Sequence, residues 1–97
     1  MNIERRYFAA ILATPPRKTV EYREMSDYWE ARLAKVGSGS FRLRLINGMT
    51  HPIPEAEIEV INLVRNISTD QFELHLGRVV SVKNWDRVKE VPISDEK

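Results

Sequence analysis

From Phe41 onward the chain alternates apolar and polar residues in several successive runs, with no helical stretch between them. This constrains the fold more than any other feature. Side chains of a strand point to opposite faces in turn, so such runs are strands with one face buried. Parallel neighbours need a long crossover, usually a helix, and none is present after residue 40, which excludes a doubly wound sheet. Phe41, Leu43 and Leu45 alternate with Arg42 and Arg44, and Asn47-Gly48 follows as a turn signal. Pro52-Ile53-Pro54 is a stiff connection unsuited to a central strand. Ile58 and Val60 then oppose Glu57 and Glu59, and the phase slips at Ile61 and Leu63, which predicts a bulge or burial of both faces. Phe72, Leu74 and Leu76 alternate with Gln71, Glu73 and His75, and Gly77 breaks that run before residues 78–82.

The first 40 residues read differently. Ile3, Tyr7, Phe8, Ile11 and Leu12 share a helical stripe, so residues 3–13 are a predicted helix, capped by Asn2 and closed by Pro15 and Pro16. A strand over residues 18–23 follows, with Val20 and Tyr22 as its apolar face and Thr19, Glu21 and Arg23 as its polar face. Ser26 is placed to cap a second helix carrying Asp27, Trp29, Leu33 and Val36, with its end near Lys35 and its exit at Gly37. Residues 37–40 read as a flexible loop. The expected architecture is α+β: a small β-barrel or curved sheet of about five or six mostly antiparallel strands, with two helices near the N-terminus. With 97 residues it is one domain, whose core spans about 3–86 and whose polar tail, 91–97, frays.

Fifteen basic residues against fourteen acidic give a net charge of +1, so any nucleic-acid binding rests on a local patch and not on bulk charge. With no cysteine, disulfides and thiolate metal sites are excluded. His51 and His75 lack metal-ligand spacing and read as exposed or loop histidines, and neither a metal nor a cofactor is expected. The N-terminal segment lacks a secretory pattern, and no apolar run nears the roughly 20 residues that cross a bilayer. A cytoplasmic protein without membrane contact is expected.

One stretch holds a candidate site. On the strand, Glu21 and Arg23 share a face and form a charge-assisted pair, while Lys18 begins the strand and reaches a pocket at its end. A desolvated lysine beside a carboxylate and a guanidinium suits proton transfer or anion binding. Tyr28 and Trp29 offer a surface for stacking a base, and Arg42 with Arg44 gives a basic patch. Each has a plainer reading: a surface ion pair, a solvated lysine, a core tryptophan and a wet strand face.

The order of elements, with "RKTVEYREMSDYW", "FRLRLINGM" and "FELHLGRVVSVKNWD", resembles the ASCH domain, a relative of the PUA-like RNA-binding folds. That family's hallmark is Gly-x-Lys-x-x-Glu-x-Arg after a helix. Lys18, Glu21 and Arg23 match it in spacing, with Pro16 in place of the glycine, and the resemblance runs from about Tyr7 to Asp86. It implies a barrel with a cleft beside the motif strand, and single-stranded RNA or a modified nucleoside as partner. Lys18 and Glu21 would then be the catalytic candidates, with Arg23, Tyr22, Tyr28, Trp29, Arg42 and Arg44 as ligand contacts. Some family members are binding modules. Others are a ribonuclease and an amidohydrolase that removes the acetyl group of N4-acetylcytidine. The amidohydrolase has a threonine nucleophile where this chain has Glu21, so its route is not reproduced; Glu21 as general base for water, with Lys18 or Arg23 on an oxyanion, is the alternative chemistry. For a ribonuclease, Lys18 and Arg23 would steady the phosphate while Glu21 or Tyr22 handles a proton. A purely structural role, with Glu21 and Arg23 locking the strand to a neighbour, stands beside these.

Overall fold

The computed structural model describes residues 1–34 and 40–93. In chain order the elements are α1 (Arg5–Leu12), β1 (Val20–Glu24), α2 (Asp27–Ala34), β2 (Phe41–Ile46), β3 (Glu55–Asn66), β4 (Gln71–Lys83), β5 (Trp85–Asp86) and β6 (Val91–Pro92). β1 to β4 form one antiparallel sheet in the order β1-β4-β3-β2, curled into a half-barrel. Four strands share that sheet; β5 and β6 pair separately as a short ribbon. Val91 and Pro92 therefore belong to the folded body and not to the expected tail. The expected helix end near Lys35, the place of Val36 in its stripe, the Gly37 exit and the end of the tail (94–97) lie outside the described residues, as does the 37–40 loop apart from Ser40.

α1 lays Phe8, Ile11 and Leu12 on the inner face of the sheet, in one cluster with Leu45, Ile58, Val60, Phe72 and Leu74. Trp85 joins it from β5, its ring edge-on to Phe8 at 5.0 Å. The expected cap of α1 is replaced. Residues 1–3 run beside β2, with Ile3 N donating to Ile46 O at 2.9 Å, and the Asn2 side chain exchanges hydrogen bonds with the Gly48 backbone. Glu4 takes the N-cap position without a side-chain cap bond, and the helix starts two residues later than its stripe suggested because Ile3 is buried as part of this extended segment. α2 starts as expected, with Ser26 Oγ accepting from Trp29 N at 3.3 Å.

β3 lies between β4 and β2 over Glu55–Val60, whereas its residues beyond Val60 pair with β4 alone; β1 and β2 are the edge strands. The phase slip at Ile61 is a bulge, as its pattern predicted: Val60 faces Leu76 while Asn62 already faces His75. Gly77 does not end its run, since β4 continues through it to Lys83. Instead β4 carries one extra residue of its own between Leu76 and Val79, where Gly77 and Arg78 stand against Glu59 next to the β3 bulge, and another between Val79 and Ser81. An added Cβ at Gly77 would lie 2.7 Å from Ile61 Cγ2, so glycine is what lets the two irregularities pack. Gly77→Ala is expected to cost about 1–3 kcal/mol in urea unfolding, with most of the loss recovered when Ile61→Ala is added. An equal cost in both backgrounds would refute this contact as the cause.

Candidate functional site

The pairing of β1 with β4 sets the site. Glu21 lies opposite Leu74 and Arg23 opposite Phe72, both core residues, whereas Val20 and Tyr22 lie opposite His75 and Glu73. The charged face of β1 therefore points inward, the reverse of the expected orientation. Glu21 is 6% exposed and Tyr22 45%.

A buried carboxylate needs partners, because its desolvation is costly. Arg23 Nη1 donates to Glu21 Oε1 at 2.7 Å and to Tyr22 O at 2.7 Å, which fixes the guanidinium. Lys18 Nζ stands 3.7 Å from Glu21 Oε2, too far for a hydrogen bond, and Oε2 is buried with no hydrogen-bond partner. One acceptor oxygen is thus satisfied and the other is spare. Two cations on one carboxylate leave the trio with a positive excess.

Lys18 is brought there by the turn after α1. Arg17 N donates to Ala10 O at 2.9 Å, folding the chain back along the helix, and Leu76 N donates to Thr19 O at 2.8 Å, tying the approach to β4. The ammonium lies 5.0 Å from the Tyr7 ring centroid and 5.4 Å from that of Tyr22. Beside it, a cavity of about 200 Å³ is lined by Asn2, Ile3, Glu4, Tyr7, Glu21 and Arg23. Tyr7 was legible in the sequence only as part of a helical stripe; its place at the cavity follows from α1 crossing above β1.

The remaining candidates are spread out. Arg23 stands 5.7 Å from the Trp29 ring, and Tyr28 packs edge-on to Trp29 at 5.2 Å. Trp29 is half-buried against the core, while Tyr28 is exposed. Arg42 and Arg44 lie on β2, at the opposite edge of the sheet, and pair with Glu57 and Glu55 across the strands. Arg44 holds the Glu55 carboxyl below its ordinary value through their hydrogen bond. Such solvated pairs contribute little to stability. Arg42 nevertheless borders a small cavity of about 140 Å³ together with Trp29 and Arg32.

His75 is neither free nor in a loop. It sits half-buried on the outer face of β4, its Nε2 3.2 Å from Glu73 Oε1, and Asn66 Nδ2 donates to Glu73 Oε2 at 3.0 Å. The Asn66 hydrogen bond, and then that of His75, hold the Glu73 carboxyl below its ordinary value. Among the described residues no three His, Asp or Glu side chains gather as a metal-ligand set. No described helix is long and apolar enough to cross a membrane.

No family model, curated protein or solved structure matches this chain.

Proposed function

We propose that this chain is an ASCH-type domain on a PUA-like barrel, binding single-stranded RNA or a modified nucleoside in the cleft of Lys18, Glu21 and Arg23. The observation that carries this reading is the spare buried oxygen of Glu21 in a side chain that walls a cavity. A buried acceptor without a donor is unfavourable, and a ligand N–H relieves it. The amino or imino edge of a nucleobase supplies such a donor. Lys18 and Arg23 then face the electron-rich groups beside it, a base carbonyl or a phosphate.

The Tyr7 ring lines the cavity and could stack on a base there, and exposed Tyr28, packed on Trp29, offers a further aromatic surface outside it. RNA leaving the cleft past Trp29 would meet Arg42 and, further along β2, Arg44. In this reading the segment of residues 1–3, bridged to β2 at Ile46, and the separately paired β5–β6 ribbon would be the strands that complete a barrel of five or six.

A second reading, hydrolysis in the same cleft, is favoured by the 3.7 Å approach of Lys18 Nζ to Glu21 Oε2. In it Glu21 takes a proton from water, the resulting hydroxide attacks an acyl carbon or phosphorus, and Lys18 steadies the developing oxyanion. Glu21 then returns that proton to the leaving nitrogen or oxygen; Tyr22, the other proton-transfer candidate, lies on the opposite face of β1.

One experiment separates these. A short single-stranded RNA carrying one N4-acetylcytidine is incubated with the wild type and with Lys18→Ala, then weighed by mass spectrometry and assayed for binding. The expected result is intact RNA bound by the wild type, with affinity lower by about tenfold in Lys18→Ala and an almost unchanged melting temperature. Loss of acetyl or shortening of the strand with wild type alone would make the enzyme reading correct. RNA that neither changes nor binds would sink both.

A further inference from the structure

We infer that a second cavity, bounded by Lys18 on the side away from Glu21, is a phosphate subsite for the nucleotide or RNA that the proposed function assigns to the cleft, and the inference rests on that assignment for the identity of the ligand. This cavity holds about 300 Å³. Its walls carry three cationic residues, Lys18, Arg78 and Arg87, with the hydroxyl residues Thr14 and Thr19, and among the described residues no acidic one lines it. Its floor is apolar, with Ile58 and Leu76 among the lining. In a chain of net charge +1, three cationic residues around one hollow are a local concentration of positive charge.

Two of the neighbouring acids are committed elsewhere. Glu90 accepts both guanidinium nitrogens of Arg17 at 2.8 and 2.9 Å, and Glu21 is held by Arg23. Glu59 accepts a 3.3 Å hydrogen bond from Arg78 Nε in a solvated ion pair, which a phosphate would have to compete with. Arg87 is fixed in place, since its Nε and Nη2 both donate to Leu12 O, at 3.0 and 2.9 Å. That leaves its Nη1 edge as a donor beside the largely exposed Arg78 side chain, a pair of guanidinium groups suited to a tetrahedral oxyanion. The bulge after Leu76 is what places Gly77 and Arg78 at this wall.

Lys18 links the two hollows. It forms part of the wall here and contacts Glu21, which walls the smaller cavity. A single nucleotide laid across Lys18 sets its base against Glu21 and its phosphate against Arg78 and Arg87.

The test is a titration of isotope-labelled protein with inorganic phosphate, cytidine and cytidine 5′-monophosphate, following backbone amides by NMR. Phosphate and the monophosphate are expected to shift the amides of Gly77, Arg78 and Arg87, and the monophosphate to bind about tenfold tighter than cytidine. Arg78→Gln should erase that advantage while leaving cytidine affinity unchanged; Arg87→Gln serves as the second variant, with its fold checked by the same spectra. A trinucleotide with a 5′-hydroxyl, whose salt dependence weakens by about one charge in Arg78→Gln, would assign the site to RNA backbone, whereas preference for the monophosphate would assign it to a free nucleotide. Equal binding of cytidine and its monophosphate, or no phosphate-induced shifts, overturns the subsite and leaves the nucleoside reading intact. Phosphate binding without any cytidine response to Glu21→Gln would keep the subsite and sink the nucleoside reading.

Discussion

Phe8→Ala is expected to destabilise the protein by about 3–5 kcal/mol, the range found when a large buried aromatic is truncated. Phe8 is fully buried, and it is the residue through which α1 meets both the sheet and Trp85. Removing the ring costs its transfer free energy, leaves a cavity in a close-packed core and breaks the edge-on aromatic contact. For a domain of this size the total stability is about 5–15 kcal/mol, so the loss is about a fifth of it or more. Thermal unfolding should show it as a fall of more than about 12 °C in melting temperature. A loss below about 1 kcal/mol would mean that α1 does not anchor the core in the way its packing indicates.

Glu21→Ala is expected to cost about 1–3 kcal/mol. The substitution leaves Arg23 and Lys18 without their carboxylate beneath α1, although both side chains retain some contact with water, which limits the cost. The pair term is isolated by a double-mutant cycle with Arg23→Ala in urea unfolding. A coupling energy of about 1 kcal/mol or more is expected, because the 2.7 Å hydrogen bond is largely screened from solvent. Additive losses would show that Glu21 and Arg23 act independently, and the charged trio would then lose its role in holding β1. Glu21 therefore serves both stability and the proposed binding, so Lys18→Ala, which leaves the Glu21–Arg23 bond in place, is the cleaner probe of ligand affinity.

The β-rich half was legible because period-two alternation is set by the chain itself. Leu45, Ile58, Phe72 and Leu74 are all buried as their parity requires. The bulge at Ile61 was legible as a break in that parity, and the α2 cap as Ser26 before Asp27. Other features were not. Asn2 suited a helix cap but bonds to Gly48, which is 46 residues away in sequence. Gly77 looked like a strand end because nothing local shows that a second bulge will lie across from it.

The site shows the same division. That Lys18, Glu21 and Arg23 are spaced to share one strand and its approach was written in the sequence. Which way they face was not, because on β1 the apolar pair Val20 and Tyr22 is scarcely more hydrophobic than a strand edge tolerates. Orientation came from register: a one-residue slip against β4 would have turned every β1 side chain over, and the observed pairing sets Glu21 against Leu74. The sequence by itself determined where strands, turns and helix starts fall, since those depend on neighbours along the chain. The tertiary structure alone decided that a carboxylate would be buried, which cations would attend it and which cavities Lys18 would separate, because burial and electrostatic pairing are properties of residues brought together across the fold.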